Sequence, residues 1–215
     1  MVVDRGRPVE QLGERSIERT QRVRRELGVA DDDIVLVTIG RQEYQKAHVD
    51  LIAALELVLA QRGNALLLVA GRDGNASPDI QSALAEHPAA ANRTRLLGHR
   101  DDVGDLLAAA DLFVMPSKYE GTAGAALEAM AMSLPMVVTD VEGLRGVLTH
   151  DRNAVLVPVG DRASLAVAIL RLIDDPVHAH EIARRAKADF DDRFRLDRSV
   201  AAMIALYRRT IDMGR

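Results

Sequence analysis

From residue 34 onward the chain repeats one rhythm: a short apolar run, a glycine-punctuated polar stretch, then a helical pattern. The runs lie at Ile34–Ile39, Ala65–Ala70, Arg95–Leu97, Leu112–Met115, Met136–Thr139 and Ala154–Val157. None alternates apolar with polar residues, as expected of strands buried on both faces. Helical spacing recurs between and after them. Leu51, Leu55 and Val58 with Ile52 and Leu59 form one apolar face, Leu165, Ile169 and Leu172 another, and Val200, Met203, Ile204, Tyr207 and Ile211 a third. Strand alternating with helix predicts an α/β fold: a Rossmann-like, doubly wound parallel sheet of about six strands with right-handed crossovers. Residues 1–29 break the rhythm, with sparse apolar positions, seven Arg and one short helical stretch, Glu14–Leu27, that ends at Gly28.

Composition narrows the function classes. The 215 residues are 48% hydrophobic and 28% charged, enough apolar material for a sizeable core. With 28 Lys+Arg against 32 Asp+Glu the net charge is −4, and only 3% of residues are aromatic. That balance speaks against nucleic acid as a partner, since neither a basic footprint nor stacking platforms are present. No run is long enough for a transmembrane segment, and the charged start lacks a signal-peptide core, so a cytoplasmic location is expected. Any contact with a membrane would come peripherally, through a partner. The absence of cysteine removes disulfides, thiolate metal sites and a cysteine nucleophile.

In open parallel sheets ligands bind beyond the carboxyl ends of the strands. After the first run, Gly40-Arg41 and Lys46 set two cations five residues apart beside a helix start; taken alone this reads more readily as two solvated loop cations than as a clamp on a diphosphate, which it also suits. Neither the P-loop nor the GxGxxG pattern is present, and Gly71-Arg72 stands where a dinucleotide oxidoreductase would end its second strand with an acid. The stretch from Pro116 to Ala131 is the most informative. Glu120 follows a Pro-Ser turn, and Glu128 lies in a helix otherwise made of Ala, Leu and Met, where a carboxylate is costly unless it is paired or reaches a ligand. If all eight intervening residues were helical, the two would stand roughly 12 Å apart along the axis and about 80° out of phase. That exceeds the roughly 5–9.5 Å of a glycoside hydrolase pair. It suits two carboxylates bonding separate hydroxyls of one long ligand.

The order Glu120, Glu128-Ala129-Met130-Ala131, Pro135, Val137-Val138-Thr139-Asp140 and Gly143 resembles the donor-binding half of glycosyltransferase family 4. Gly40-Arg41 with Lys46 is similar to that family's GR(x)4K segment. Leu97–Val103, Ala110–Ser117 and Asn153–Asp161 also resemble family segments in order and spacing, so that the likeness covers about residues 30–210. It implies the GT-B fold, two Rossmann-like domains facing across a cleft, and sugar transfer with retention from a nucleoside diphosphate sugar. Carried over by position, Arg41 and Lys46 would neutralise the diphosphate and the leaving group, and Glu120 would bond a donor-sugar hydroxyl. The backbone from Gly121 through Thr122, Ala123, Gly124 and Ala125 would reach the sugar and distal phosphate. Glu128 would take the ribose, and Gly98, His99 and Arg100 would border the nucleobase.

The resemblance brings no cofactor and no metal; the nucleotide sugar is a substrate. Asp31-Asp32-Asp33 contains a DxD, the metal signature of the other glycosyltransferase fold, but it precedes the first strand, at the end of the sheet away from ligands. His178 and His180 point apart on a helix and make poor co-ligands, and His48 reads as structural. Departures from the family pattern are Ala47 and Ser133 where glycine is usual, Glu142 in the place of a first glycine, Gly146 in that of an acid, and small side chains at Thr122, Ala123, Ala125 and Ala126. In this family an acceptor-binding domain precedes the donor domain, and Val2-Val3-Asp4-Arg5-Gly6-Arg7-Pro8 resembles the hinge between them. The expected organisation is a hinge-like segment and short helix over 1–29 and a nucleotide-sugar-binding domain over 30–215, which works with an acceptor domain in cis or in trans. The same residues would also serve a non-catalytic nucleotide-binding module.

Overall fold

The computed structural model describes Asp4, residues 6–121 and residues 124–213. Its strands are β1 (Ile34–Ile39), β2 (Ala65–Ala70), β3 (Thr94–Gly98), β4 (Leu112–Met115), β5 (Met136–Thr139) and β6 (Val155–Val157). The helices are α1 (Ile17–Glu26), α2 (His48–Leu59), α3 (Ser77–Glu86), α4 (Pro88–Asn92), α5 (Val103–Ala109), α6 (Gly124–Ala131), α7 (Arg162–Asp174), α8 (Pro176–Asp189) and α9 (Leu196–Met213). All six strands pair in parallel in the order β3-β2-β1-β4-β5-β6. The chain winds outward from β1 to β3, then returns to place β4 against the other side of β1. The switch point therefore lies between β1 and β4.

The lack of alternation in the apolar runs has its physical reason here. In β1, Val35 and Val37 face one apolar layer with Leu106, Leu107, Met130 and Phe190. Leu36 faces the opposite layer with Leu51, Leu55, Ile80 and Ile169. Both faces are dry, and every position of β1 except Thr38 is apolar. Local chemistry fixes the helix starts: Ser16, Asp161 and Asp175 each accept a backbone N–H from the first turn of α1, α7 and α8.

Helix α6 ends in a Schellman motif. The Leu134 N–H bonds the Ala129 carbonyl and the Ser133 N–H that of Met130, both at 3.0 Å, which puts Ser133 in the left-handed region at φ 53°. Pro135 then stops the helix. Ala47, at the start of α2, is left-handed as well, with φ 50°. Of the three positions where the sequence departs from glycine, Ala47, Ser133 and Glu142, these two are left-handed. A left-handed non-glycine residue costs about 1–2 kcal/mol, of which glycine's greater chain entropy returns about half. Ser133→Gly is expected to stabilise the chain by about 0.5–1 kcal/mol, a rise of roughly 2 °C in melting temperature by calorimetry. Ala47→Gly should gain less, because its methyl group is buried.

Helix α9 forms as its spacing predicts, but its apolar stripe is not covered. Val200, Met203, Ile204, Tyr207 and Ile211 are 38–63% exposed. No helix among the described residues is long and apolar enough to cross a membrane.

Candidate functional site

Arg41, Lys46, His99, Arg100, Glu120 and Glu128, singled out in the sequence, lie beyond the carboxyl ends of the strands. The loops after β1 and β2 are laced together: the Gly40 N–H bonds the Ala70 carbonyl, and Gln42 exchanges backbone bonds with Arg72 and Ala76. They approach so closely that a Cβ on Gly71 would stand 1.9 Å from the Gly40 carbonyl oxygen. A short 3-10 turn, Tyr44–Lys46, then lifts Lys46, whose stem lies across Gly40 with Cδ and Cε 3.2 Å from where a Cβ would be. Glycine at position 40 makes room for that lysine.

The loop after β4 meets this one across the switch point. The Lys118 N–H bonds the Gln45 carbonyl at 2.8 Å, and the Lys118 ammonium lies 4.0 Å from the centre of the Tyr44 ring. Lys46 Nζ donates to Glu120 Oε1 at 2.6 Å, and Ser117 Oγ donates to the same oxygen at 2.6 Å. Ser117 is itself fixed from below by the Thr139 hydroxyl, which donates to its carbonyl at 2.5 Å. On the far side a Cβ on Gly143 would fall 1.9 Å from the Glu120 carbonyl oxygen, so only glycine lets the chain after β5 pass. The Glu120 side chain is 4% exposed. Its carboxylate is immobilised by a cation and a hydroxyl that both use Oε1, which leaves Oε2 without a partner among the described residues.

Helix α6 begins at Gly124, so Glu120 stands in the loop and the two glutamates do not share one helix. Glu128 is buried, 7% exposed, and is not unpaired. Arg7 donates through Nε at 2.8 Å, and through Nη2, to Glu128 Oε1. The same guanidinium passes over Gly124, its Cζ 3.2 Å from where a Cβ would stand. The sequence demanded a partner or ligand for Glu128 but did not say which, and the demand was the only signal for Arg7. Ser117 carried no signal of its own beyond its place in the loop.

A cleft of about 370 Å³ between the ends of β1, β2 and β3 is lined by Gly40, Arg41, Gly71, Arg72, His99 and Arg100. Arg41 is exposed and has no side-chain partner among the described residues. Arg100 is held away by Asp102, at 2.8 and 2.5 Å, and His99 lies between Asp101 and Arg72. Gly98 ends β3 with φ +64° and turns the chain towards this cleft. Ala125 follows Gly124 in the first turn of α6; Thr122 and Ala123 lie outside the described residues. Behind Lys46, burial and then the lysine charge push the His48 imidazole down to about 4, so it is neutral at pH 7, with its Nδ1 buried and unpartnered.

Asp33 caps Ala30 and pairs with Arg93 at the opposite, amino end of the sheet. A larger groove of about 870 Å³ along α1, lined by Arg15, Thr20 and Arg24, is at that end too. Arg24 there is bonded to Asp111 and the Ala109 carbonyl. The carboxyl end of the sheet is therefore where cations and buried carboxylates converge. It offers fixed charge and hydrogen-bond acceptors rather than a nucleophile.

Residues 33–175, about two thirds of the chain, match the family described as Glycosyl transferases group 1. An uncharacterized glycosyltransferase of Methanocaldococcus jannaschii is 31% identical over 192 residues, which covers 88% of this chain and 48% of that protein. The glycogen synthase of Mycobacterium tuberculosis is 35% identical over 162 residues, 73% of this chain and 39% of its own. Among solved structures, HepE of Anabaena in complex with UDP-glucose superposes with a TM-score of 0.86 at 25% identity, over 95% of this chain and 56% of that one. The chain spans about half the length of these relatives, or less. Loop residues, strand order and relatives lead to one placement, and the chain belongs to the glycosyl transferases group 1 family.

Proposed function

We propose that this chain is the donor-binding domain of a retaining glycosyltransferase of family 4, which passes a hexosyl group from a nucleoside diphosphate sugar to an acceptor held by a second domain, in cis or in trans. The observation that carries this reading is the Lys46–Glu120 pair at the switch point. A cation suited to a diphosphate and a carboxylate suited to a sugar hydroxyl lie 2.6 Å apart, and a nucleotide sugar carries those two groups side by side. HepE, whose structure holds UDP-glucose, supports that class of donor.

In this reading Arg41 and Lys46 neutralise the diphosphate and the charge that develops on it as the glycosidic bond breaks, usually a large catalytic term. Glu120 accepts from a sugar hydroxyl through its free oxygen. The backbone from Gly121 to Ala125 meets the sugar and distal phosphate at the start of α6. Glu128 takes the ribose, and the cleft beside Gly98, His99 and Arg100 takes the base. Fixed cations replace a divalent ion at the diphosphate. Residues 1–29 serve as the connector, and the uncovered stripe of α9 is a surface for the acceptor domain.

Two measurements test the reading. Calorimetric titration with nucleoside diphosphates should give the same affinity in excess EDTA; collapse on chelation, reversed by Mg²⁺ or Mn²⁺, would refute the metal-free clamp. The purified chain supplied with nucleotide sugars should transfer nothing alone, because one wall of a cleft neither holds an acceptor at attack distance nor shuts out water. Addition of the acceptor domain should restore transfer, and Glu120→Ala should abolish it. Tight nucleotide binding with no transfer even then would identify a binding module instead.

A further inference from the structure

We infer that Arg7, in the segment ahead of the domain, is a positioning residue of the nucleotide site: it aims Glu128 so that the free carboxylate oxygen meets the ribose diol. The inference rests on the donor-site reading above.

Arg7 is fixed independently of Glu128. Its N–H donates to the Phe194 carbonyl at 2.8 Å, and Asp4 and Gly6 are held against the start of α9 and the turn before it. The Ser199 hydroxyl donates to the Asp4 carbonyl at 2.7 Å, Arg193 pairs with the Asp4 carboxylate at 3.1 Å, and Gly6 packs directly on Leu196 and Ser199. The guanidinium thus arrives at α6 from an anchored backbone, 40% exposed along its side chain. Both of its bonds go to one oxygen of Glu128. Two N–H donors fill the lone pairs of Oε1 and fix the plane of the carboxylate, so Oε2 keeps its full accepting capacity.

A glutamate without such an anchor would have to be ordered each time a ligand bound, at a cost in rotamer entropy. Arg7 removes that cost in advance. The third nitrogen, Nη1, has no partner among the described residues and lies 3.4 Å from where a Cβ on Gly124 would stand. The guanidinium is therefore part of the wall of the site at the first turn of α6.

The test is a comparison of sugars on the nucleotide. Calorimetry would measure the tightest binder among UDP, GDP and ADP, and its 2′,3′-dideoxy counterpart, on the natural chain, Arg7→Ala, Arg7→Lys, Glu128→Gln and the Arg7→Ala/Glu128→Gln double variant. A hydrogen bond to a charged group sets the expected preference of the natural chain for the ribose form at about tenfold or more. That preference should fall to about twofold in Arg7→Ala and in Glu128→Gln, and no further in the double variant, with partial recovery in Arg7→Lys. A merely structural Arg7 would weaken both nucleotides equally and leave the preference intact, which would overturn the inference. A preference that rises in Arg7→Ala would overturn it too, by showing that Arg7 competes with the ribose. If none of the three nucleotides binds the natural chain, the donor-site reading itself falls; if they bind and only the Arg7 result fails, that reading stands. Arg7→Lys, which keeps a cation beside the buried carboxylate but cannot supply the paired N–H donors, keeps the test valid should Arg7→Ala fold poorly: an undiminished ribose preference there would overturn the inference.

Discussion

The Arg41→Ala/Lys46→Met variant is expected to bind nucleoside diphosphates at least a hundredfold more weakly than the natural chain. Each charge-assisted hydrogen bond contributes roughly 1.5–3 kcal/mol, and about 1.4 kcal/mol is a factor of ten in affinity. Two such contacts give that loss or more. Methionine at position 46 keeps an unbranched stem across Gly40, so the loop after β1 retains its packing. The change also strands the Glu120 carboxylate, which is 4% exposed and would keep only the Ser117 hydroxyl. Lost stability has to be separated from lost binding, and Glu120→Gln does so. In Lys46→Met/Glu120→Gln no buried charge is left unpaired; the melting temperature should return towards that of the natural chain while binding stays weak. Unchanged affinity in the Arg41/Lys46 variant, measured by calorimetric titration, would remove the diphosphate clamp.

Acid should weaken the fold through His48. The imidazole titrates near 6.5 when unfolded and near 4 when folded, because burial and then Lys46 disfavour its charged form. Between those values the unfolded chain binds more protons than the native one, so stability falls as pH falls through that window. The loss is about 2 kcal/mol at pH 5 and about 3 kcal/mol at pH 4, and it levels off below that. Above about pH 8 the group contributes no slope. His48→Leu removes both the titration and the unpartnered Nδ1. In urea unfolding between pH 7 and pH 4.5 the variant should lose less stability than the natural chain, the difference being the histidine's share. Identical slopes would acquit His48.

The inner strands were legible because a doubly wound sheet buries both of their faces, so burial writes itself into the sequence as apolar runs; β3, at the edge, is half-buried and carries Thr94 and Arg95. Ser133 and Ala47 were legible only as departures, and their left-handed backbones supply the reason glycine is usual there. The two ion pairs at the site were not legible. Lys46 and Glu120 are 74 residues apart, and Arg7 and Glu128 are 121, distances over which periodicity carries no information. Seven arginines in residues 1–29 could each have answered the buried carboxylate. The stripe on α9 was read correctly as apolar, but spacing reports that a face is oily and not whether anything covers it.

The strand order also decides how this chain meets copies of itself. Its two outer strands are poor templates for intermolecular pairing. β6 is only three residues long. β3 has five residues, and its Arg95 bonds the carbonyls of Leu27 and Gly28, just beyond α1. Cross-β addition, the usual hazard of an open sheet, finds no long bare edge from which to start.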